Sequence, residues 1–439
     1  MPVRTLLVTG AGGAGRTTVA AAVALAAARD GDRTLLLTRD ADAAAHLLPA
    51  AAGAAGGTMA DGLPRPAPVD GVDGVDGLYV AVVDTAASFR SGALDVQDRI
   101  GSLLSLLGAA PLDPEELTEL PGADALALLR VLRQAGALGA DSAWDLVVVD
   151  LPPVREAVAL LALPEQLRRY LGRLLPADRQ AARALRPVLA QLAGVPMPAE
   201  WAYEAAARAD RELAAVQAVI DARGTSVAVV VEPGPAALRT LRTARTGLAL
   251  YGHRPAGVVA NRVLPAGSAD PFLAGLSGQQ QEHLKELADA CAADGAELRE
   301  TPHLGRAPHT PRDLLRLLDP AGPAGGGPVE LGRPIGVGGP IGVGGPSAGA
   351  AAEPRPDPWT VQDRLADEGQ FVWTLPLPGA TREGLDLVRR GDELVVDAGG
   401  FRRIVPLPSA LRRCTVAGAA LRDDALQVRF TPDPGLWPR

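Results

Sequence analysis

The sequence predicts an α/β protein with a mostly parallel sheet, followed by a small all-β sandwich. Three observations support this prediction. Short apolar runs alternate with longer helical stretches from residue 3 to about residue 320, which is typical of βα units around a parallel sheet. The following segment, residues 321–358, has the Gly- and Pro-rich composition of a linker. Beyond it, period-two segments separated by Gly, Pro and Asp turns indicate antiparallel strands.

Six apolar runs are predicted to be buried strands of the parallel sheet: Thr5–Val8, Thr34–Leu37, Leu78–Val83, Leu146–Val149, Ser226–Val231 and Gly257–Ala260. The stretches between them have helical patterns. Two of these stretches, approximately residues 94–134 and 156–223, are longer than a simple crossover requires, and we expect them to form a helical subdomain. Residues 50–77, which are rich in Ala, Gly, Asp and Pro, are predicted to be a loop.

Five segments after the linker predict the strands of the sandwich: Phe371–Leu377, Leu385–Arg389, Leu394–Ala398, Phe401–Leu407 and Leu426–Phe430. The expected organisation is an α/β domain over residues 1–320, a linker over residues 321–369 and a β-sandwich over residues 370–432. The motif PIGVGG occurs twice within the linker, at residues 334–339 and 340–345.

Charge and composition exclude several functions. The chain has 43 basic and 51 acidic residues and a formal charge of −8, so we expect no nucleic-acid partner. Its two cysteines, Cys291 and Cys414, cannot form a disulfide framework or a four-thiolate zinc site, which favours a reducing, cytoplasmic setting. The longest apolar stretch, Val19–Ala28, is about half the length of a membrane span, so no integral membrane segment is expected.

Lysine is nearly absent from this sequence. Lys285 is the only lysine, and every other basic residue among the 43 is an arginine. Any mechanism that requires a lysine at another position is therefore excluded.

A glycine-rich segment, TGAGGAGRTT at residues 9–18, directly follows the first predicted strand and precedes an apolar helix. Glycines allow backbone N–H groups to converge on phosphate oxygens, and the helix N-terminus adds its positive end. The segment therefore predicts a phosphate-binding loop. Its candidate nucleotide-binding residues are Gly12, Gly13, Ala14, Gly15, Arg16, Thr17 and Thr18.

At this loop the sequence resembles the ArsA-type ATPases, which include arsenite-pump subunits and the targeting ATPases for tail-anchored membrane proteins. The loop of that family reads KGGVGKTT, so Ala11 occupies the position of the signature lysine and Arg16 that of the phosphate-binding lysine. The resemblance implies a P-loop NTPase fold with ATP or ADP and Mg²⁺ as cofactors. It places Thr17 at the position of the magnesium ligand.

Further motifs follow in the order of the family. Residues 38–41, TRDA, resemble its switch I motif STDP and imply that Asp40 orients the attacking water. Residues 144–153, WDLVVVDLPP, resemble its switch II segment YDVVVVDTAP and imply that Asp150 organises magnesium through water. Residues 121–124, PGAD, resemble its PGxDE motif, and residues 261–265 match its NRVLP motif, in which Asn261 would recognise adenine.

The C-terminal segments resemble the small-heat-shock-protein-like (alpha-crystallin) domain that is appended to bacterial members of this family. The matching stretches are Leu375–Gly379, Gly391–Val396 and Arg402–Pro408. Such domains often mediate protein contacts, and a passive domain on a flexible tether is an equally good interpretation of the sequence.

The two lysine replacements bear on activity. The guanidinium of Arg16 keeps a positive charge but is a wider, planar fork rather than a compact point charge. Loss of one well-placed charge donor costs about 3 kcal/mol in a transition state, roughly a hundredfold in rate. In the family, the lysine that Ala11 replaces reaches across a dimer to the partner's nucleotide, so its loss adds to this cost.

Two hypotheses follow from the sequence. The first is an ArsA-family ATPase that binds ATP and Mg²⁺, hydrolyses ATP weakly, and acts as a dimer that handles a hydrophobic protein client. The second is a catalytically inactive pseudo-ATPase that serves as the dimer partner or regulator of an intact homologue. Arsenite transport is not expected, because it requires thiolate ligands and neither cysteine is near the nucleotide motifs in sequence.

Overall fold

The computed structural model describes residues 3–48, 64–72, 74–99, 101, 111–137, 144–175, 200–318 and 356–436. Most of the predicted linker, residues 321–355, lies outside these ranges. So do residues 50–63 and 73 of the predicted loop and residues 100, 102–110 and 176–199 of the predicted helical subdomain.

An eight-stranded sheet forms the centre of the N-terminal part. Its strands are β1 Arg4–Gly10, β2 Thr34–Thr38, β3 Ala67–Pro68, β4 Leu78–Val82, β5 Leu146–Asp150, β6 Thr225–Val231, β7 Pro255–Val263 and β8 Glu297–Pro302. The spatial order is β3-β4-β2-β5-β1-β6-β7-β8. All neighbours are parallel except β3 and β4. The predicted parallel α/β fold is confirmed, and each of the six apolar runs coincides with a strand.

Helices cover both faces of this sheet. They are α1 Arg16–Arg29, α2 Ala41–Leu47, α3 Thr85–Arg99, α4 Ala123–Ala137, α5 Val154–Leu174, α6 Glu200–Asp221, α7 Ala237–Leu250, α8 Pro271–Asp294 and α9 Pro311–Leu317. The central helix α1 is buried at every position from Val19 to Ala28. Alanine has the highest helix propensity and needs little space, which suits a helix enclosed between the sheet and α9. No helix in the described ranges is long and apolar enough to cross a membrane.

The parallel register brings three loops to one edge of the sheet. In β1 and β5, Val8 pairs with Asp150, and in β2 and β5, Leu37 pairs with Val149. The carboxyl ends of β1, β2 and β5 therefore lie side by side. The segments that follow them, which carry the glycine-rich loop and the two switch-like motifs, meet there.

The C-terminal part consists of two antiparallel sheets. The first has the order β14-β15-β10-β9 and the second the order β11-β12-β13. The strands are β9 Thr360–Arg364, β10 Gln370–Pro376, β11 Leu385–Arg390, β12 Glu393–Ala398, β13 Phe401–Pro406, β14 Cys414–Arg422 and β15 Ala425–Pro432. Trp373 and Phe430 are fully buried between the sheets. The predicted all-β sandwich is confirmed.

Two strands of the sandwich, β9 and β14, were not predicted from the sequence pattern. Every residue of β9 is exposed, and β9 lies within the segment that the sequence assigns to the linker. It pairs with β10 through its backbone, from Thr360 with Thr374 to Arg364 with Gln370. Strand β14 is largely exposed too. Because both are edge strands whose side chains face solvent, hydrophobic periodicity cannot reveal them.

The sandwich packs against helices α5 and α7 of the α/β part. The ring of Phe401 lies over Gly247 in α7, where a Cβ would be 2.7 Å from Phe401 Cε2. Glu393 in β12 accepts hydrogen bonds from Arg169 and Arg173 of α5 at 2.8 and 2.7 Å. The sandwich therefore contacts the helix that begins just after Asp150.

Candidate functional site

The glycine-rich loop connects the central strand β1 to helix α1. A Cβ at Gly10 would lie 1.9 Å from a backbone carbonyl oxygen of β6, and at Gly15, where φ is 87°, it would lie 2.3 Å from Asn261 Nδ2. A Cβ at Gly12 or Gly13 would meet no atom within 4 Å. The loop thus packs closely against β6 and β7 and is open on the side where a phosphate could approach its backbone.

Three chain segments meet at Asp150, the last residue of β5. The hydroxyl of Thr17, in the first turn of α1, donates to Asp150 Oδ2 at 2.8 Å. The hydroxyl of Thr38, at the end of β2, donates to the same oxygen at 2.9 Å. The backbone N–H of Asp40 in turn donates to Thr38 Oγ1 at 3.1 Å. One chain of hydrogen bonds, here called the Asp150 network, therefore joins the loop to both switch-like segments.

The other carboxylate oxygen of Asp150 has no partner. Oδ1 is buried and accepts no hydrogen bond in the described structure. Burial raises the pKa of Asp150, and the hydrogen bonds from Thr17 and Thr38 and the charge of Arg16 offset only part of that effect. A buried carboxylate oxygen without a partner is costly, so a cation or its bound water is favoured at this position.

Arg16, the first residue of α1, reaches the segment after β5. Its guanidinium donates to the carbonyl oxygen of Leu151. Burial lowers the pKa of Arg16, the charge of Asp150 opposes this, and the charge of Arg39 adds to the decrease. Arginine nevertheless keeps its charge in proteins. A cation thus stands beside the loop with a neutral carbonyl as its hydrogen-bond partner.

A cavity of about 480 Å³ opens in front of these groups. Ligand sites typically have volumes of about 300 to 1,000 Å³. The lining residues are Arg16, Thr17, Arg39, Asp40, Ala41, Asp42, Asp150 and Leu151. Asp40 is also the N-cap of α2, where its Oδ1 accepts the backbone N–H of Ala43 at 2.8 Å. The same side chain therefore caps a helix and lines the cavity.

Asn261, in β7, lies behind the loop. Its Nδ2 donates to the Ala14 carbonyl oxygen at 2.7 Å. Its Oδ1 accepts the hydroxyl of Thr301 at 2.7 Å and the N–H of Arg262 at 2.9 Å. The residue is 3% exposed and does not line the cavity. In this structure Asn261 braces the phosphate loop, and adenine recognition by it stays a prediction.

Sequence reasoning assigned no role to three residues that the structure places at the site. Thr38 completes the Asp150 network, Arg39 lines the cavity, and Thr301 holds Asn261 in place. The predicted apolar run ends at Leu37, and the next residue, Thr38, is the last buried residue of β2. A polar residue at the end of a buried strand was a signal of a site residue that sequence reasoning could have used. Thr301 belongs to β8, whose charged sequence ELRETP hides a strand. Thr18 follows Thr17 in α1 and is half-buried.

The residues present fit a Mg²⁺–nucleotide complex. Magnesium prefers hard oxygen ligands, keeps several waters, and is usually bound through one or two protein groups together with substrate phosphates. The Thr17 hydroxyl and the unpartnered Oδ1 of Asp150 supply such oxygens beside an open glycine-rich loop. Thr17 and Asp150 are therefore the residues that would hold a magnesium ion or its water.

A sheet of this order, with a glycine-rich loop after its central strand and an aspartate ending the adjacent strand, defines a P-loop nucleotide-binding protein. Residues 3–294 match the family model of the anion-transporting ATPases, ArsA_ATPase. Residues 368–430 match the model of the HSP20-like domain found in ArsA. The chain therefore belongs to the ArsA ATPase family.

Three similar proteins span nearly the whole chain. An uncharacterized protein of Streptomyces coelicolor is 53% identical over 437 residues, covering 99% of each chain. The protein Rv2184c of Mycobacterium tuberculosis is 31% identical over 99% of this chain and 97% of its own. A Chlorobaculum tepidum protein named as an arsenical pump-driving ATPase is 25% identical over 97% of this chain and 96% of its own.

Proposed function

We propose that this chain binds ATP and ADP with Mg²⁺ at the glycine-rich loop, hydrolyses ATP slowly, and uses its nucleotide state to handle a hydrophobic protein client or partner. The observation that carries this proposal is the Asp150 network. It keeps Thr17, Thr38 and Asp150 together although both motif lysines are replaced. The unpartnered, buried Oδ1 of Asp150 supports the proposal because a magnesium ion or its water would satisfy it.

Each site residue has a distinct task in this proposal. The backbone from Gly12 to Thr18 binds the phosphates through its N–H groups and the positive end of α1. Thr17 and Asp150 hold Mg²⁺, which when bound offsets the charge on the phosphate oxygens. Asp40 lines the cavity and joins the Asp150 network through its backbone N–H. In this proposal its carboxylate orients a water towards the terminal phosphate.

Slow hydrolysis is expected because the loop lacks one cation and its other cation, Arg16, is already hydrogen-bonded. The methyl group of Ala11 carries no charge, and the guanidinium of Arg16 is engaged by the Leu151 carbonyl. Arg16 must leave that carbonyl, or share its donors, to contact a phosphate. A weakened charge donor of this kind costs about 3 kcal/mol in the transition state, roughly a hundredfold in rate. A dimer, with a second copy or with a related ATPase, is part of the proposal. A second copy carries the same Ala11, so only a related ATPase that keeps the lysine would supply the missing cation across the dimer.

Client binding is assigned to the helical part of the chain. Among the described residues, large apolar side chains are exposed at Val96, Leu126, Tyr170 and Leu174, by between 47% and 78%. They lie on α3, α4 and α5, within the regions that the sequence assigns to the helical subdomain. We take these exposed side chains as candidates for a client-binding surface. We place the protein in the cytoplasm on the basis of its cysteine content.

Calorimetric titration of the full chain with Mg-ATP and Mg-ADP tests nucleotide binding. We expect binding of both nucleotides and its loss in Thr17→Ala, because the Thr17 hydroxyl is a proposed magnesium ligand. Thr246→Ala is the matched control: this buried threonine is also hydrogen-bonded, to the Pro378 carbonyl at 2.9 Å, but it lies at the sandwich interface. Absence of heat with either nucleotide up to millimolar concentration would rule the proposal out.

A second candidate function is a pseudo-ATPase that regulates an intact homologue, and the neutral Ala11 specifically favours it. Turnover of Arg16→Lys, with and without Ala11→Lys, separates the two candidates. If the site is only weakened, the restored lysines raise the ATPase rate. If neither variant changes the ATPase rate, the regulatory candidate is favoured, and the chain should then alter the ATPase rate of an intact family member when the two are mixed.

A further inference from the structure

Two arginines line the cavity in front of the loop. Arg16 comes from the loop itself, and Arg39 comes from the segment between β2 and α2. In the family motif STDP, to which residues 38–41 are similar, a neutral threonine stands at the position of Arg39. The second cation is therefore a feature of this chain, in which the signature lysine is replaced by Ala11.

Arg39 is held by a carboxylate of the helical part. Its Nη1 pairs with Asp124 Oδ2 at 2.6 Å, and the two side chains are 29% and 42% exposed. Asp124 lies in the first turn of α4, within the motif PGAD. The pair occupies one terminal nitrogen of a guanidinium that has five N–H donors, so a phosphate can first contact the other donors and then displace Asp124.

The formal charge of the cavity lining explains why a second cation favours the binding of an anionic ligand. The lining carries two arginines and three carboxylates, those of Asp40, Asp42 and Asp150. Its formal charge is therefore −1. An anionic ligand is repelled by these carboxylates. Without Arg39 the formal charge of the lining would be −2, and Arg16 would be the one cation left in it.

We infer that Arg39 binds the terminal phosphate of the nucleotide, supplying from the β2–α2 segment the positive charge that Ala11 lacks, and that Asp124 holds Arg39 until a phosphate replaces it. Guanidinium groups match phosphate geometry and form bidentate, charge-assisted hydrogen bonds. Exchange of Asp124 for phosphate releases α4 from the β2–α2 segment. This inference rests on the proposed nucleotide binding and specifies which residue recognises the γ-phosphate.

The test compares Kd values of the full-length protein for Mg-ATP and Mg-ADP. Arg39→Thr introduces the residue of the family motif, and we expect it to weaken ATP binding about tenfold or more while ADP binding changes much less, because ADP has no γ-phosphate. Asp124→Asn removes the competing carboxylate and should tighten ATP binding severalfold. In the double variant, the Asp124→Asn gain should vanish, since it acts through Arg39.

Arg4→Thr is the matched control. Arg4 also forms an ion pair, with Asp32, at 28% and 30% exposure, but it lies at the amino end of β1, opposite the loop. We expect it to leave both Kd values unchanged. The inference is overturned if Arg39→Thr binds ATP as tightly as the parent, or if Asp124→Asn weakens ATP binding as much as Arg39→Thr does, since the pair would then be structural. If the parent binds neither nucleotide, the proposed function fails as well.

Discussion

Replacement of Asn261 by alanine tests whether this side chain braces the phosphate loop. The change removes three hydrogen bonds: two buried ones, to the Ala14 carbonyl and from the Thr301 hydroxyl, and a partly buried one from the Arg262 N–H. At about 1 kcal/mol each, the expected loss is about 3 kcal/mol. Arg262 has a φ of 62°, a conformation that L-residues rarely adopt, so its support by Asn261 is needed.

Thermal unfolding without nucleotide measures the stability term. A loss of 1 kcal/mol lowers Tm by about 2 to 4 °C in domains of 150 to 250 residues, so we expect a decrease of about 6 °C in this larger domain. Nucleotide titration measures the second effect, the change in nucleotide affinity. A displaced loop weakens ATP and GTP binding by the same factor, because the loop contacts phosphates and not the base.

Gln280→Ala is the control for Asn261→Ala. Gln280 accepts the Leu264 N–H at 2.7 Å and donates to the Arg262 carbonyl at 3.1 Å, so it supports the same turn without contacting the phosphate loop. It should lower Tm and leave nucleotide affinity intact. An Asn261→Ala variant with unchanged Tm and weaker binding of ATP but not GTP would show that Asn261 reads adenine instead.

Three other predictions concern buried charge and the sandwich interface. Asp150→Asn should raise the Tm of the nucleotide-free chain at neutral pH, because burial raises the pKa of Asp150 and its ionised form is therefore penalised; the gain should fade as pH drops below that pKa. Glu393→Ala should cost about 1 kcal/mol or less, since the pair with Arg169 is partly exposed. Phe401→Ala should cost about 3 kcal/mol and increase hydrogen exchange in α5 and α7, because a buried ring leaves the helix surface at Gly247.

Each of these three has an outcome that contradicts it. For Asp150→Asn it is a lower Tm at neutral pH, or a gain that persists in acid. For Glu393→Ala it is a loss of several kcal/mol in denaturant unfolding, which would mean a fully desolvated ion pair. For Phe401→Ala it is exchange that increases only within the sandwich, which would separate the two parts of the chain energetically.

The strands of the parallel sheet were predictable because of their burial. Each is covered by helices on both faces and therefore reads as a continuous apolar run, as in Leu146–Val149. Edge strands lack this constraint. Strand β8 contains several charged residues and is only partly buried, and every residue of β9 is exposed. Both strands pair through backbone hydrogen bonds, which leave no pattern in the side chains.

The candidate site was predictable only in part. Gly12, Arg16 and Thr17 are local to one loop, and their arrangement follows from the strand–loop–helix context. Asp150 comes from a strand and lies 133 positions after Thr17 in sequence, and the sequence could place it only through a family motif. The sharing of its Oδ2 between Thr17 and Thr38, and the unpartnered Oδ1, required the folded chain.

The sequence by itself determined the glycine-rich loop, the absence of both motif lysines, and the division into an α/β part and a β-sandwich, because each is a matter of residue type and local period. The tertiary structure decided the use of three side chains: Asn261 braces the loop from behind, Arg39 stands at the cavity and pairs with Asp124, and Phe401 seats the sandwich on α7. The physical reason is that hydrogen bonds and charges act over a few ångströms in space. Residues separated by 85 positions, such as Arg39 and Asp124, interact only once the parallel sheet has brought their segments together.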